Sequence, residues 1–232
     1  MSIEFKILDF IQTLHTPVLD KIMVGVTKLG DVGIIWIILT AILLIIPKTR
    51  RTGGVMLVAL VVQTVLCNVI LKNLFARTRP YDVNTTVQLL VPKLHDFSFP
   101  SGHTSASFTA VSALYFSKDK LWKPALILAC LIAVSRLYLY VHYPTDVLGG
   151  LLLGVLSGYI GYKIMEKVKN KGIPGRGDNY EYWDNCFYRR IDDGISDSGN
   201  TGRIISRQRE EMKKCRMWSF RHIARTERWF LL

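Results

Sequence analysis

The chain has 232 residues, half of them hydrophobic, and a formal net charge of +12; its mean hydropathy is +0.24. That length fits one or two domains. The four cysteines, Cys67, Cys130, Cys186 and Cys215, show neither zinc-site spacing nor a disulfide framework. A charge this positive on a soluble chain points to nucleic acid. Here the cations stand beside apolar blocks, so a bilayer explains them and no nucleic-acid partner is expected.

In chain order, Ile3, Ile7, Phe10, Ile11 and Leu14 fall near one helical face, with Lys6 and Asp9 on the other. This spacing predicts a helix lying at a membrane surface. Glu4, Lys6 and Asp9 interrupt the segment, and no cleavable signal peptide is read there. Leu19 to Leu29 repeats the pattern less clearly, as a second surface helix or a lead-in to the first span. Five apolar blocks follow: Val32–Pro47, Thr52–Leu71, Thr104–Ser117, Pro124–Ser135 and Val147–Tyr162. Crossing the hydrocarbon takes about 20 residues. Thr52–Leu71 meets that outright, and the others need their flanks. Five such blocks would overfill a soluble core of this size. The expected fold is all-α: an integral membrane bundle of about five transmembrane helices behind an interfacial N-terminal helix.

Past Gly172 the composition changes. Residues 173–232 hold three of the five Trp, many Arg and no sustained apolar period. Two units are therefore expected: a membrane domain over 1–172 and a basic, poorly ordered cytoplasmic tail over 173–232. Arg207 to Arg228 fits a basic amphipathic helix.

Three cation clusters separate or follow the blocks: Lys48, Arg50 and Arg51; Lys118, Lys120 and Lys123; and Lys163, Lys167, Lys169 and Lys171. With alternating crossings all three fall on one side, which the positive-inside rule makes cytoplasmic. The polar segments described next fall at the opposite ends and are expected to face outward across the plasma membrane.

Ionisable groups close to membrane-spanning helices are costly and mark functional positions. Lys72 and Arg79 are seven residues apart, nearly two helical turns, so both are expected on one face. Pro80 discourages the helix from continuing. Arg77 falls on a different face and reads as an interfacial anchor. Pro100-Ser101-Gly102-His103 stands just before the third block, where a helix start aims free N–H groups at an anion. Ser101 adds a hydroxyl that serves equally as an N-cap. Gly102 lets a ligand approach the backbone. Arg136 offers a fork matched to phosphate. His142 and Asp146 are four residues apart across Tyr143-Pro144-Thr145, a sequence that fits a helix start. At that spacing a carboxylate can fix the imidazole tautomer and leave the other nitrogen free to attack.

Taken together, Lys-x6-Arg-Pro, Pro-Ser-Gly-His and Ser-Arg-x5-His-x3-Asp, in that order and on one membrane face, resemble the type 2 phosphatidic acid phosphatase superfamily. The resemblance covers about Val32 to Lys171. It implies a helical bundle and metal-independent hydrolysis of phosphate esters or anhydrides, with no cofactor. It further implies that His142 is the nucleophile, that Asp146 orients it and that His103 is the general acid. Lys72, Arg79, Ser101, Gly102 and Arg136 would hold the phosphate oxygens. The expected substrate is a membrane lipid phosphate, with undecaprenyl diphosphate preferred over phosphatidylglycerophosphate or phosphatidic acid because the site faces outward. Vanadium haloperoxidases share this anion site, but they are soluble, and five spans argue against that chemistry.

Overall fold

The computed structural model describes residues 3–171. The 173–232 tail and its candidate helix lie outside them. Among the described residues every regular element is helical. In order these are α1 (Ile3–Gln12), α2 (Pro17–Leu29), α3 (Ile34–Ile45), α4 (Arg50–Thr64), α5 (Lys72–Phe75), α6 (Pro80–Val83), α7 (Gly102–Phe116), α8 (Trp122–Tyr138) and α9 (Pro144–Lys171). A 3₁₀ turn at Asp31–Gly33 joins α2 to α3, and a π-helical stretch at Val65–Leu71 joins α4 to α5.

The centre of the bundle is α7, which packs against α9, α8 and α4. Its ten buried residues include Ser105, Ser107, Thr109 and Ser112, which bond within or between helices rather than to water. The seam with α9 is closed by glycines at four-residue spacing. A Cβ added to Gly150 would stand 2.7 Å from the Ser101 carbonyl oxygen, one on Gly154 2.7 Å from the Ser105 carbonyl oxygen, and one on Gly158 2.5 Å from Ser112. Small residues at this spacing let two backbones touch, the means by which helices associate in lipid. The seam draws the first turns of α7 and α9 together, and with them two of the three polar segments.

Two helical stretches are long and apolar enough to cross a membrane, Pro47–Val83 and Pro144–Val168. The bent pair Pro17–Leu29 and Asp31–Ile45, with 41° between its halves, makes up to a third. The expected count of five is thus reached only in part. With 15 and 17 residues, α7 and α8 fall short of the usual span. Their ends are consumed by the polar segments and turns that form the site.

α1 turns outward most of the apolar stripe expected of a helix at a membrane surface, and its other face carries the packing. Ile3, Ile7, Phe10 and Leu14 are exposed, while Leu8 is fully buried and Phe5 and Ile11 pack with it against the Tyr138–Tyr143 turn. Polar groups also face inward: Asp9 accepts from the Tyr140 hydroxyl at 2.8 Å, and Gln12 donates to the Tyr138 carbonyl at 2.9 Å. Turning an apolar stripe outward costs little where the surroundings are lipid.

Candidate active site

Four segments converge beside the α7–α9 seam. The turn before α9 carries His142, which is 1% exposed, and the first turn of α9 carries Asp146, fully buried. Pro144 opens α9, as the sequence predicts. His142 Nδ1 lies 3.5 Å from Asp146 Oδ2, within ion-pair reach but without hydrogen-bond alignment. Asp146 is itself held on every side. Oδ2 accepts from the Ser98 hydroxyl and, at 2.9 Å, from the Tyr143 N–H, and Oδ1 accepts from Arg77 at 2.7 Å. A buried carboxylate needs partners of this kind to stay ionised.

Lys72 and Arg79 do meet, though not by continuing a helix. α5 ends at Phe75, and Ala76 turns left-handed at φ 42°. The chain then runs extended into Arg79. Arg79 Nη1 donates to the Val141 carbonyl at 2.8 Å and stands 3.4 Å from His142 Nε2. Its Nε donates to the Asp96 carbonyl at 2.8 Å, and Nη2 pairs with the Asp96 carboxylate at 2.5 Å. Lys72 pairs with the other carboxylate oxygen of Asp96. Partial burial works to raise the Asp96 carboxyl, but the Lys72 ammonium and the Arg79 guanidinium outweigh it and hold it at about 2.

Lys72 Nζ also lies 3.6 Å from where a Gly102 Cβ would be, an ordinary contact distance that sets the ammonium beside the start of α7. Ser101 caps α7. Its Oγ accepts from the Thr104 N–H at 3.5 Å, and its N–H donates to the Asp146 carbonyl at 3.0 Å. That backbone bond ties the second polar segment to the third. Arg136 is 2% exposed. Its Nη1 donates to the Thr27 hydroxyl at 2.5 Å, while Nε and Nη2 have no partner within the protein. Buried guanidinium nitrogens without an acceptor are costly, and a bidentate anion satisfies them. His103 bonds through Nε2 to Asp31 at 2.9 Å.

Four residues of this arrangement escaped the sequence reading as members of the site, Asp31, Asp96, Ser98 and Glu4, and a fifth, Arg77, was read only as an interfacial anchor. Arg77 requires a correction. It is no simple interfacial anchor. Besides Asp146 it pairs with Glu4 of α1 at 2.6 Å and lies 3.9 Å over the Tyr143 ring. Glu4 also accepts from the Thr145 hydroxyl at 2.5 Å. Charge inside the apolar pattern of α1 was the available signal for Glu4. Proximity to Pro-Ser-Gly-His was the signal for Asp96.

Buried cations, a histidine backed by a carboxylate and a second histidine make an anion site equipped for phosphoryl transfer. The comparisons agree. The profile of the PAP2 superfamily matches residues 52–170. An undecaprenyl-diphosphatase of Sulfolobus acidocaldarius is 36% identical over 161 residues, covering 69% of this chain and 76% of the relative. The crystal structure of Aquifex aeolicus LpxE superposes with a TM-score of 0.63 at 31% identity, covering 70% of this chain and 96% of that one. A transmembrane PAP2-type phosphatidylglycerolphosphate phosphatase from Bacillus subtilis gives 0.58 at 30% identity, covering 70% and 84%. The chain is accordingly a membrane protein and a hydrolase of phosphate carried on lipids. By its three polar segments, its helical bundle and its profile match, it belongs to the PAP2 superfamily.

Proposed function

We propose that this enzyme removes the terminal phosphate of undecaprenyl diphosphate on the outer face of the plasma membrane, through a phosphohistidine at His142. The observation that carries the mechanism is the placement of His142 Nε2, 3.4 Å from the Arg79 guanidinium, with Asp146 behind the other ring nitrogen. Nε2 attacks phosphorus, and the P–O bond to the leaving group breaks with its electron pair going to oxygen. His103 protonates that oxygen. The same imidazole then takes a proton from water, whose oxygen attacks phosphorus. The P–N bond breaks, and its electrons return to His142. Lys72, Arg79 and Arg136 spread positive charge over the equatorial oxygens, the part divalent metals play elsewhere. The Gly102 N–H and Ser101 complete the cradle at the start of α7.

The substrate follows from sidedness and from the undecaprenyl-diphosphatase likeness. Among the described residues, the clusters at 48–51, 118–123 and 163–171 lie at the end of the bundle away from His142, which supports an outward-facing site. There it meets a carrier lipid after its cargo has been delivered. Purified protein in EDTA should release phosphate from undecaprenyl diphosphate faster than from phosphatidylglycerophosphate or phosphatidic acid, and vanadate should inhibit it. Activity that appears only on adding Mg²⁺ or Zn²⁺ would overturn the mechanism. Sidedness is checked separately in a cysteine-free background. An impermeant maleimide on intact cells should label Thr85→Cys and spare Lys120→Cys.

A further inference from the structure

The turn between α2 and α3 precedes the residues matched to the family, yet it touches two members of the site. Thr27, at the end of α2, accepts from the buried Arg136. Three residues on, Gly30 lies flat against the His103 ring. A Cβ there would come within 2.8 Å of His103 Cδ2 and 3.1 Å of Ile132 Cγ2, so a side chain is excluded. Asp31 follows, with Oδ1 2.9 Å from His103 Nε2. The backbone beyond it is bent at a cost. Val32 is left-handed at φ 54° and Gly33 at φ 71°. A β-branched residue in that region is strained by about 1–3 kcal/mol and persists only where its surroundings fix it. Here Gly33 N–H bonds to the Gly30 carbonyl at 2.9 Å, closing the turn that presents Asp31. The first turn of α7 is braced from α3 as well, where Trp36 donates to the Ser107 hydroxyl at 3.0 Å and Ser107 donates to the His103 carbonyl at 2.8 Å.

We propose that Asp31 is the positioning residue of the proton-transfer step, forming with His103 a second histidine–carboxylate pair opposite His142–Asp146. This rests on the reading of His103 as the general acid. By occupying Nε2, Asp31 fixes the ring and assigns the exchange of the proton to Nδ1. The proton leaves Nδ1 for the departing oxygen as the P–O bond breaks, and Nδ1 recovers one from the attacking water. The charged groups facing the ring come from three elements. Burial opposes the imidazolium most, Arg136 from α8 and Lys72 from α5 add to that, and Asp31 favours it. Without the carboxylate, two cations would face the imidazole unopposed.

The need for an acid depends on the leaving group. A lipid monophosphate expels an alkoxide and needs protonation; a lipid diphosphate expels a phosphate monoester and needs less. The enzyme with Asp31→Asn should therefore lose about 10- to 100-fold in kcat on phosphatidic acid, with KM changed by less than about twofold. Its loss on undecaprenyl diphosphate should be at least several-fold smaller. The basic limb of its pH profile should move down by about one pH unit, because the imidazolium loses a stabilising charge. Asp31→Glu should recover part of the rate and part of the shift. The limb position and the ratio between substrates do not depend on how much of the protein folds, so they read the pair even if Asp31→Asn is made in low yield. A fall in rate with limb and ratio both unmoved would make Asp31 merely structural and overturn the proposal. His103→Ala separates the two claims. If it retains near-normal turnover on both substrates, the general-acid reading fails and the proposal fails with it. If it is inactive on phosphatidic acid while Asp31→Asn matches the parent enzyme in limb and ratio, only the proposal fails.

Discussion

The two ends of the bundle carry the same kinds of side chain and use them in opposite ways. At one end Lys72, Arg79 and Arg136 are buried and paired, or left with unmatched nitrogens, beside His142. At the other, Lys118, Lys120, Trp122 and Lys123 surround an open hollow of about 850 Å³ with Tyr115, Phe116 and Tyr162. Lys123 stands 5.9 Å from the Trp122 ring, and Lys163 reaches Glu166 at 2.8 Å. Such exposed pairs contribute little energy. Their work is done during insertion, when they set topology. On the proposed reading, a cation beside an apolar helix is a ligand or a topology marker according to whether the fold buries it.

The widest gap between the ends should appear with His142→Ala, which should lower turnover by about 10⁴-fold or more with helical content and melting temperature unchanged. Next is Arg136→Lys. It keeps the charge but loses the fork, and should cost about 10²-fold in kcat/KM. Arg77→Leu should follow at about tenfold, chiefly in kcat, because Asp146 loses one of its partners while the phosphate cations stay in place. Steady-state phosphate release measures all three.

Asp96→Asn should act in the reverse direction. On the proposed reading the Asp96 carboxylate competes with phosphate for Lys72 and Arg79, so its neutral replacement should tighten vanadate inhibition about two- to fivefold. Its folded-state value of about 2 lies below the ordinary 3.8. The stabilisation it supplies is therefore complete above about pH 4 and is lost only as pH falls through about 2. No step in the activity profile between pH 5 and 9 should be traceable to it. At the far end, Lys120→Gln combined with Lys123→Gln should leave turnover within about twofold in purified protein, since exposed cations far from the site contribute little. A larger loss there would end the division of labour between the two ends.

The sequence makes the helices and the three polar segments legible because both are local patterns. Apolar blocks mark helices, and Pro144 and Ser101 mark where α9 and α7 begin. It places all eight expected residues in the vicinity of one end, but it misjudges how some arrive. Lys72 and Arg79 meet across a broken helix because Asp96, seventeen residues beyond Arg79, pulls them together. The partners of Asp31 and Glu4 were illegible for a related reason, although the charge of Glu4 inside the apolar pattern of α1 was itself a signal. Each touches its partner across more than 70 intervening residues, His103 for Asp31 and Arg77 for Glu4. Only tertiary packing creates such contacts. The apolar stripe of α1 was legible and lies open as a surface helix requires, whereas the inward contacts of Leu8, Asp9 and Gln12 with the Tyr138–Tyr143 turn were not.

The glycine seam between α7 and α9 also governs traffic. With Gly150, Gly154 and Gly158 all in near contact with the opposing helix, that flank has no gap into which an acyl or prenyl chain can slip. It is a wall rather than a doorway, and it runs from the cradle at Ser101 down toward the other leaflet. A lipid that reaches His142 sideways from the bilayer must come in by another flank. The one beside Lys72, where Leu74 and Phe75 lie open to the surroundings, offers a greasy approach that ends at a cation.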